Sequence, residues 1–64
     1  MDNTVTDLEV AKTMLIFGSG FSKALATAYM VADSENSKKI RETWPELWKV
    51  FRERAEWQKE WRQL

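Results

Sequence analysis

The chain has 64 residues, with ten acidic and ten basic side chains and neither cysteine nor histidine. This length has room for one domain, residues 1–64, and the composition excludes disulfides, Cys or His zinc sites, and thiol or imidazole catalysis. A core of this size contributes only about 3 to 5 kcal/mol, so association with another chain is the remaining source of stability.

Charge is distributed unevenly along the chain. Residues 1–36 contain two basic and five acidic side chains, whereas residues 37–64 contain eight basic and five acidic ones. Nucleic-acid-binding proteins usually have a stronger basic excess, so this balance argues against a nucleic-acid partner.

Neither an export signal nor a membrane span is recognisable in the sequence. The N-terminus is acidic and polar rather than basic and then apolar. A transmembrane helix needs about 20 predominantly apolar residues. The most apolar stretch, residues 14–32, is interrupted by Gly18, Ser19 and Gly20 and contains Lys23. We therefore expect a cytoplasmic protein without a membrane partner.

The first predicted helix covers residues 6–17 and follows a tail, residues 1–4, that we expect to be frayed. Thr6 and Glu9 have the spacing of a capping box, in which each side chain accepts a hydrogen bond from the backbone of the other. Val5 and Val10 occupy the two positions of a hydrophobic staple around this start.

The segment Gly18-Ser19-Gly20 is the only glycine cluster in the sequence. A phosphate-binding P-loop needs four residues between its glycines and a strand before it, and neither is present. We interpret the segment as a helix stop and a turn, with Ser19 capping a second helix over residues 20–32. Helical spacing places one apolar face of that helix at Phe21, Ala24, Leu25, Ala28 and Ala32, with Tyr29 beside it.

A third helix is predicted over residues 34–43. Asp33 or Ser34 caps its start, and Ile40 is its one clear apolar anchor. It also carries three clustered cations, Lys38, Lys39 and Arg41. Such a cluster is typical of a solvated face, and contact with phosphates is the alternative.

The fourth helix is predicted over residues 45–63, because Pro45 is favoured in a first turn. At about 100° per residue it has two apolar stripes, separated by roughly 130°. The first stripe consists of Trp44, Leu47, Trp48, Phe51 and Ala55. The second consists of Val50, Trp57, Trp61 and Leu64. One stripe is enough to close a small core, so the second predicts a partner.

The second stripe has the spacing of a helix that packs along another helix. Val50, Trp57 and Leu64 repeat every seven residues. Leu47, Arg54 and Trp61 repeat at the same interval beside them. Tryptophan and arginine are enriched at binding hot spots. We predict partner binding by Val50, Arg54, Trp57, Trp61, Arg62 and Leu64. The alternative is that the N-terminal hairpin covers both stripes and that these tryptophans belong to the core.

No catalytic, cofactor or metal site is predicted. The serines lie in turn or cap positions without an evident base. Glutamates on the fourth helix are interleaved with cations, which is typical of a solvated surface. Two pairs, Lys49 with Glu53 and Arg52 with Glu56, have the spacing of ion pairs within a helix.

The stretch ALATAYMVADSENSKKIRETWPELWKVF, residues 24–51, resembles small helical proteins encoded by phages and prophages. In these proteins an AYxVAD-like segment precedes a PELW-like segment, and no catalytic or binding motif defines the group. Many small phage proteins bind and block a host enzyme or defence complex. The resemblance therefore implies a protein partner in the host cytoplasm.

Together these patterns predict an all-α bundle of three to four helices that acts as a non-enzymatic protein interaction module. Its partner is expected to be a host protein or a second copy of the chain in a homo-oligomer. A small helix-turn-helix-like DNA-binding regulator is the first alternative. An amphipathic membrane-surface protein is the second.

Overall fold

The computed structural model describes residues 4–62, with side chains as far as Trp61. This range forms four α-helices and no strand: α1 (Asp7–Phe17), α2 (Gly20–Val31), α3 (Ser34–Thr43) and α4 (Pro45–Arg62). Helix α1 packs most extensively, against both α2 and α4, and α3 packs less extensively against α2 and α4. The predicted all-α bundle with a long C-terminal helix is confirmed.

Helix α1 begins with the predicted capping box. The Glu9 amide donates to Thr6 Oγ1 over 3.2 Å, and the Thr6 amide donates to Glu9 Oε1 over 3.4 Å. Val5 and Val10, the two staple positions, are both buried. Sequence-local hydrogen bonds and one apolar pair thus define this helix start.

The turn between α1 and α2 depends on Gly18 for close packing rather than for unusual backbone angles, since its φ is −79°. A Cβ atom at Gly18 would lie 2.5 Å from the Met14 carbonyl oxygen and 2.6 Å from Ser22 Cβ. A Cβ at Gly20 would meet only open space. Ser19 occupies the N-cap position but makes no capping hydrogen bond through its side chain, so that part of the prediction is wrong.

The buried face of α2 differs from the predicted one. Ser22, Leu25 and Ala26 are buried, with Tyr29 packed against the core, whereas Phe21 is 57% exposed. The predicted face members Ala24 and Ala28 are also exposed. The close approach of Ser22 to the end of α1 explains the difference, because small side chains there let the two helices pack tightly.

Helix α3 and the first apolar stripe of α4 close the core from the other side. Asp33 caps α3 by accepting from the Asn36 amide over 2.8 Å, and Ile40 packs on the core as predicted. In α4, Trp48 and Ala55 are buried. Leu47 and Phe51 pack against them.

Trp44 does not join this core, although the sequence placed it in the first stripe. It is the C-cap of α3 and 38% exposed, and its ring meets the Phe21 ring edge-on at a centroid distance of 5.8 Å. The bend before Pro45 turns the Trp44 side chain out of the register of α4.

The Asp7 carboxylate joins three helices through hydrogen bonds that the sequence did not reveal. Asp7 Oδ2 accepts from Arg41 Nη1 over 2.9 Å. Asp7 Oδ1 accepts from Trp48 Nε1 over 3.1 Å and from Arg52 Nη2 over 2.5 Å. Arg52 is therefore directed toward α1, and the predicted pair with Glu56 does not form among the described residues.

Lys59 ties α4 to the start of α1. Its Nζ donates to the Thr4 carbonyl over 2.8 Å and lies 3.0 Å from Glu9 Oε2. Thr4 is thus held against α4, contrary to the frayed tail predicted for residues 1–4. The rest of that predicted tail lies outside the described residues.

The Glu9 carboxylate gives stability a dependence on pH. The hydrogen bond from Lys59, followed by the one from the Thr6 amide, holds the Glu9 pKa below its ordinary value of 4.5. The stability that this carboxylate adds is fully present above the ordinary pKa and is lost as the pH falls through the lowered one.

We expect the urea midpoint to fall on acidification less steeply in Glu9→Gln than in the parent. Glu53→Gln serves as the control, because the Glu53 side chain is in no ion pair in the part of the chain that the structure describes, and equal slopes in Glu9→Gln and the parent would contradict the assignment.

Candidate protein-interaction surface

The second apolar stripe of α4 is exposed along the described part of the helix. Val50 is 59% exposed, Trp57 49% and Trp61 59%. Arg54, between them, is also exposed, and Leu47 is half-buried. We call these residues the α4 stripe: Leu47, Val50, Arg54, Trp57 and Trp61. Their spacing alternates between three and four residues, which keeps them on one side of the helix.

The stripe is exposed because α1 covers a different face of α4. Trp48 and Ala55 are the buried residues of the covered face. Arg52 and Lys59 border it and bind the first residues of α1 and the segment before it. These contacts fix the rotation of α4, so the stripe cannot turn inward without breaking them.

Ring contacts order the C-terminal half of the α4 stripe. The rings of Trp57 and Trp61 meet edge-on with centroids 5.6 Å apart. The Arg54 guanidinium lies 4.3 Å from the Phe17 ring centroid and 5.2 Å from that of Trp57. Cation–π and edge-on contacts of this kind each contribute about 0.5 to 1.5 kcal/mol and favour the observed rotamers before a partner binds. A pre-ordered surface loses less conformational entropy on association.

The N-terminal half of the stripe borders a shallow groove. The groove has a volume of about 540 Å³ and lies between Phe21 on α2 and Leu47 and Val50 on α4, with Trp44 at its end. A second shallow groove of about 470 Å³ shares Thr43 and Trp44 with the first and is also lined by Val31 of α2. The apolar surface therefore extends beyond α4 onto α2.

Three glutamates form one border of the α4 stripe. Glu46, Glu53 and Glu60 are spaced seven residues apart and are all exposed. Among the side chains described, which end at Trp61, none of them is in an ion pair, and the predicted pair of Lys49 with Glu53 does not form. We call these three residues the acidic border.

The structure brings together four of the six predicted partner-binding residues: Val50, Arg54, Trp57 and Trp61. Leu64 lies outside the described residues, and Arg62 is described only as the last residue of α4. The alternative that Trp57 and Trp61 are core residues is wrong, because both are about half exposed or more.

Sequence reasoning missed the contribution of Phe17 and Phe21 to this surface. They are 45% and 57% exposed and flank the glycine turn at adjacent helix ends. Helical spacing alone put Phe21 in the core. One signal in the sequence could have indicated their exposure. Both aromatic residues lie directly beside the glycine turn, and the buried face of a helix usually ends near such a turn.

The basic cluster proposed for phosphate contact is divided. Arg41 donates to Asp7 and so belongs to the half-buried hydrogen-bond network that joins three helices. Lys38 lies 3.8 Å from Glu42, and Lys39 is exposed.

In the part of the chain that the structure describes, no group of three or more acidic side chains is placed to hold a metal ion. Among the same residues, no helix has both the length and the apolar character needed to cross a membrane.

Comparison with known proteins gives no match to a family model, a curated protein or a solved structure. Function is therefore inferred from the surface itself.

Proposed function

We propose that this protein is a non-enzymatic protein interaction module that binds an α-helix along the α4 stripe. The observation that carries the proposal is an exposed apolar heptad pattern on a helix whose opposite face is already buried in the core. The bound helix belongs to another protein or to a second copy of this chain.

The size of the exposed apolar surface supports this function. An aromatic side chain has a surface of roughly 150 to 250 Å², so the exposed fractions of Phe17, Phe21, Trp57 and Trp61 together leave roughly 300 to 500 Å² in solvent, and Val50 adds to this area. A patch of about 300 to 600 Å² is the largest on a typical monomer and is often functional. With a polar rim, the surface approaches the roughly 800 Å² that each partner buries in a standard interface.

The composition of the patch matches helix-in-groove recognition. In that mode an amphipathic helix places its apolar side chains into a groove and is held by a few anchors. Trp57 and Trp61 would be the anchors here, and Arg54 would be the central polar contact. The resemblance of residues 24–51 to small phage proteins supports a host protein as the target.

Two other functions have less support. A DNA-binding regulator would need the cations of α3, yet Arg41 is engaged by Asp7. A membrane-surface protein would use Trp57 and Trp61, but the acidic border would face anionic headgroups and repel them. We expect no salt-dependent binding of the protein to duplex DNA. We also expect its tryptophan fluorescence to stay unchanged when anionic vesicles are added.

Removing the anchors tests the proposal. We expect Trp57→Ala with Trp61→Ala to weaken binding of any specific partner at least 30-fold, since truncating one hot-spot residue costs about 2 kcal/mol or more. Light scattering over a concentration series measures self-association. Crosslinking from a residue of the stripe identifies a partner protein. Titrating that purified partner into the parent and into the double variant then measures the two dissociation constants.

Leu8→Ala is the matched control. Leu8 is an apolar side chain in the first turn of α1, 47% exposed, and it lines neither of the two shallow grooves beside Trp44. Its loss should leave binding unchanged, and circular dichroism should show parent-like helicity in all variants. Full binding by the double tryptophan variant would rule out the stripe as the interface.

A further inference from the structure

We infer that the occupant of the α4 stripe is a helix from a different chain, apolar along one face and lined with lysine or arginine where it meets the acidic border. This inference rests on the proposed function and adds the charge of the partner to it. It is carried by the one-sided acidic border and by what that border implies for a second copy of the chain.

The two borders of the stripe differ in charge. On one side, Glu46, Glu53 and Glu60 follow the helix at every seventh residue, exposed and in no ion pair with a described side chain. On the other side the corresponding positions are Phe51 and Gln58, which are half-buried and uncharged. A helix bound along the α4 stripe therefore meets negative charge along one edge of the stripe and apolar or neutral groups along the other.

The α4 helix of a second copy does not match this pattern in either direction. In an antiparallel symmetric pair, the acidic borders face each other and bring Glu53 of one copy beside Glu60 of the second copy. In a parallel pair, equivalent stripe positions meet, and Arg54 lies beside Arg54 of the second copy. Both arrangements place like charges together, which is unfavourable for pairing.

A basic helix removes both conflicts. Its cations pair with glutamates that form no ion pair with any described side chain, and no second Arg54 is brought to the centre of the interface. Because these carboxylates lie at the rim, they select the partner and accelerate its association, whereas Trp57 and Trp61 supply most of the affinity. The expected sign of the partner's flanking charge is positive.

Two synthetic amphipathic helices provide the probe. Both have leucine at the apolar heptad positions, and they differ only in carrying lysine or glutamate at the flanking positions. At low salt we expect the full chain to bind the lysine peptide about tenfold or more tightly than the glutamate peptide by fluorescence anisotropy, and added salt should reduce this ratio.

Charge reversal at the border identifies the source of the preference. Glu53→Lys with Glu60→Lys should reverse the preference between the peptides. Glu35→Lys with Glu42→Lys changes the net charge equally on α3, away from the stripe, and should leave the order unchanged. Circular dichroism of both variants confirms that the helices are retained.

The remaining outcomes overturn the inference. Equal binding of the two peptides, lost in Trp61→Ala, would leave the proposed function standing and remove the charge selectivity. If Glu35→Lys with Glu42→Lys reversed the peptide preference equally, the net charge of the protein alone would determine that preference. Binding of neither peptide, or a dimer that Glu53→Lys with Glu60→Lys does not change, would also contradict a basic helix as the occupant.

Discussion

Trp48→Ala is expected to unfold the protein at ambient temperature. Trp48 is 3% exposed, its ring lies 4.9 Å from that of Tyr29, and its Nε1 donates to Asp7. Truncating a buried tryptophan to alanine costs about 3 to 5 kcal/mol. A domain of this size has about 3 to 5 kcal/mol in total, so the substitution removes most or all of its stability.

Circular dichroism during thermal and urea unfolding measures this effect. Trp57→Ala and Trp61→Ala on the same helix are the matched controls, because they remove the same side chain from exposed positions and should retain a cooperative transition. Trp48→Phe keeps a ring in the core but loses the hydrogen bond to Asp7, so its stability should lie between those of the parent and of Trp48→Ala. Equal losses at Trp48 and Trp57 would contradict the division of α4 into a buried and an exposed face.

Asp7→Ala is expected to produce the second-largest loss of stability. The Asp7 carboxylate accepts hydrogen bonds from Arg41, Trp48 and Arg52, and its removal leaves these donors without their partner. A hydrogen bond to a charged group contributes about 1.5 to 3 kcal/mol. Both arginine side chains are more than a third exposed and solvent screens their charges, so we expect a total loss of about 2 to 3 kcal/mol.

Two further variants separate the causes of that loss. Asp7→Asn retains an acceptor for Trp48 and removes the charge, so it should be destabilised less than Asp7→Ala and its deficit should shrink in high salt. Glu35→Ala removes a first-turn acid from α3 and controls for the helix dipole. Urea midpoints give the comparison. A Glu35→Ala loss as large as that of Asp7→Ala would mean that the dipole, and not the three-helix network, accounts for the effect.

These two predictions link stability to the proposed function. Trp48 and the bonds from Arg52 and Lys59 set the rotation of α4 against α1. That rotation is what leaves Trp57 and Trp61 in solvent. Loss of the Asp7 network should therefore weaken partner binding as well as folding, whereas loss of Trp57 or Trp61 should weaken binding alone.

The sequence by itself determined the helices. The capping box at Thr6, the cap at Asp33 and the proline at position 45 are local signals, and each predicted helix begins or ends within about one residue of its place in the structure. Such signals are readable because a cap forms hydrogen bonds to residues only three or four positions away. Helical spacing also revealed that α4 has two apolar stripes.

Only the tertiary structure decided which faces are covered. Periodicity gives the members of a face, but the choice between two faces depends on where another helix packs. The approach of Ser22 to Gly18 turned Phe21 outward, and the bonds of Arg52 and Lys59 to the N-terminal segment left the α4 stripe exposed. The bonds of Arg52 and Lys59 join residues far apart in the chain, and no local pattern specifies them. Ser22 and Gly18 are only four residues apart, but their contact depends on how α2 packs against the end of α1. The candidate site is therefore a product of packing: its α4 residues were visible in the sequence, whereas Phe17 and Phe21 joined it only through the packing of α1 and α2.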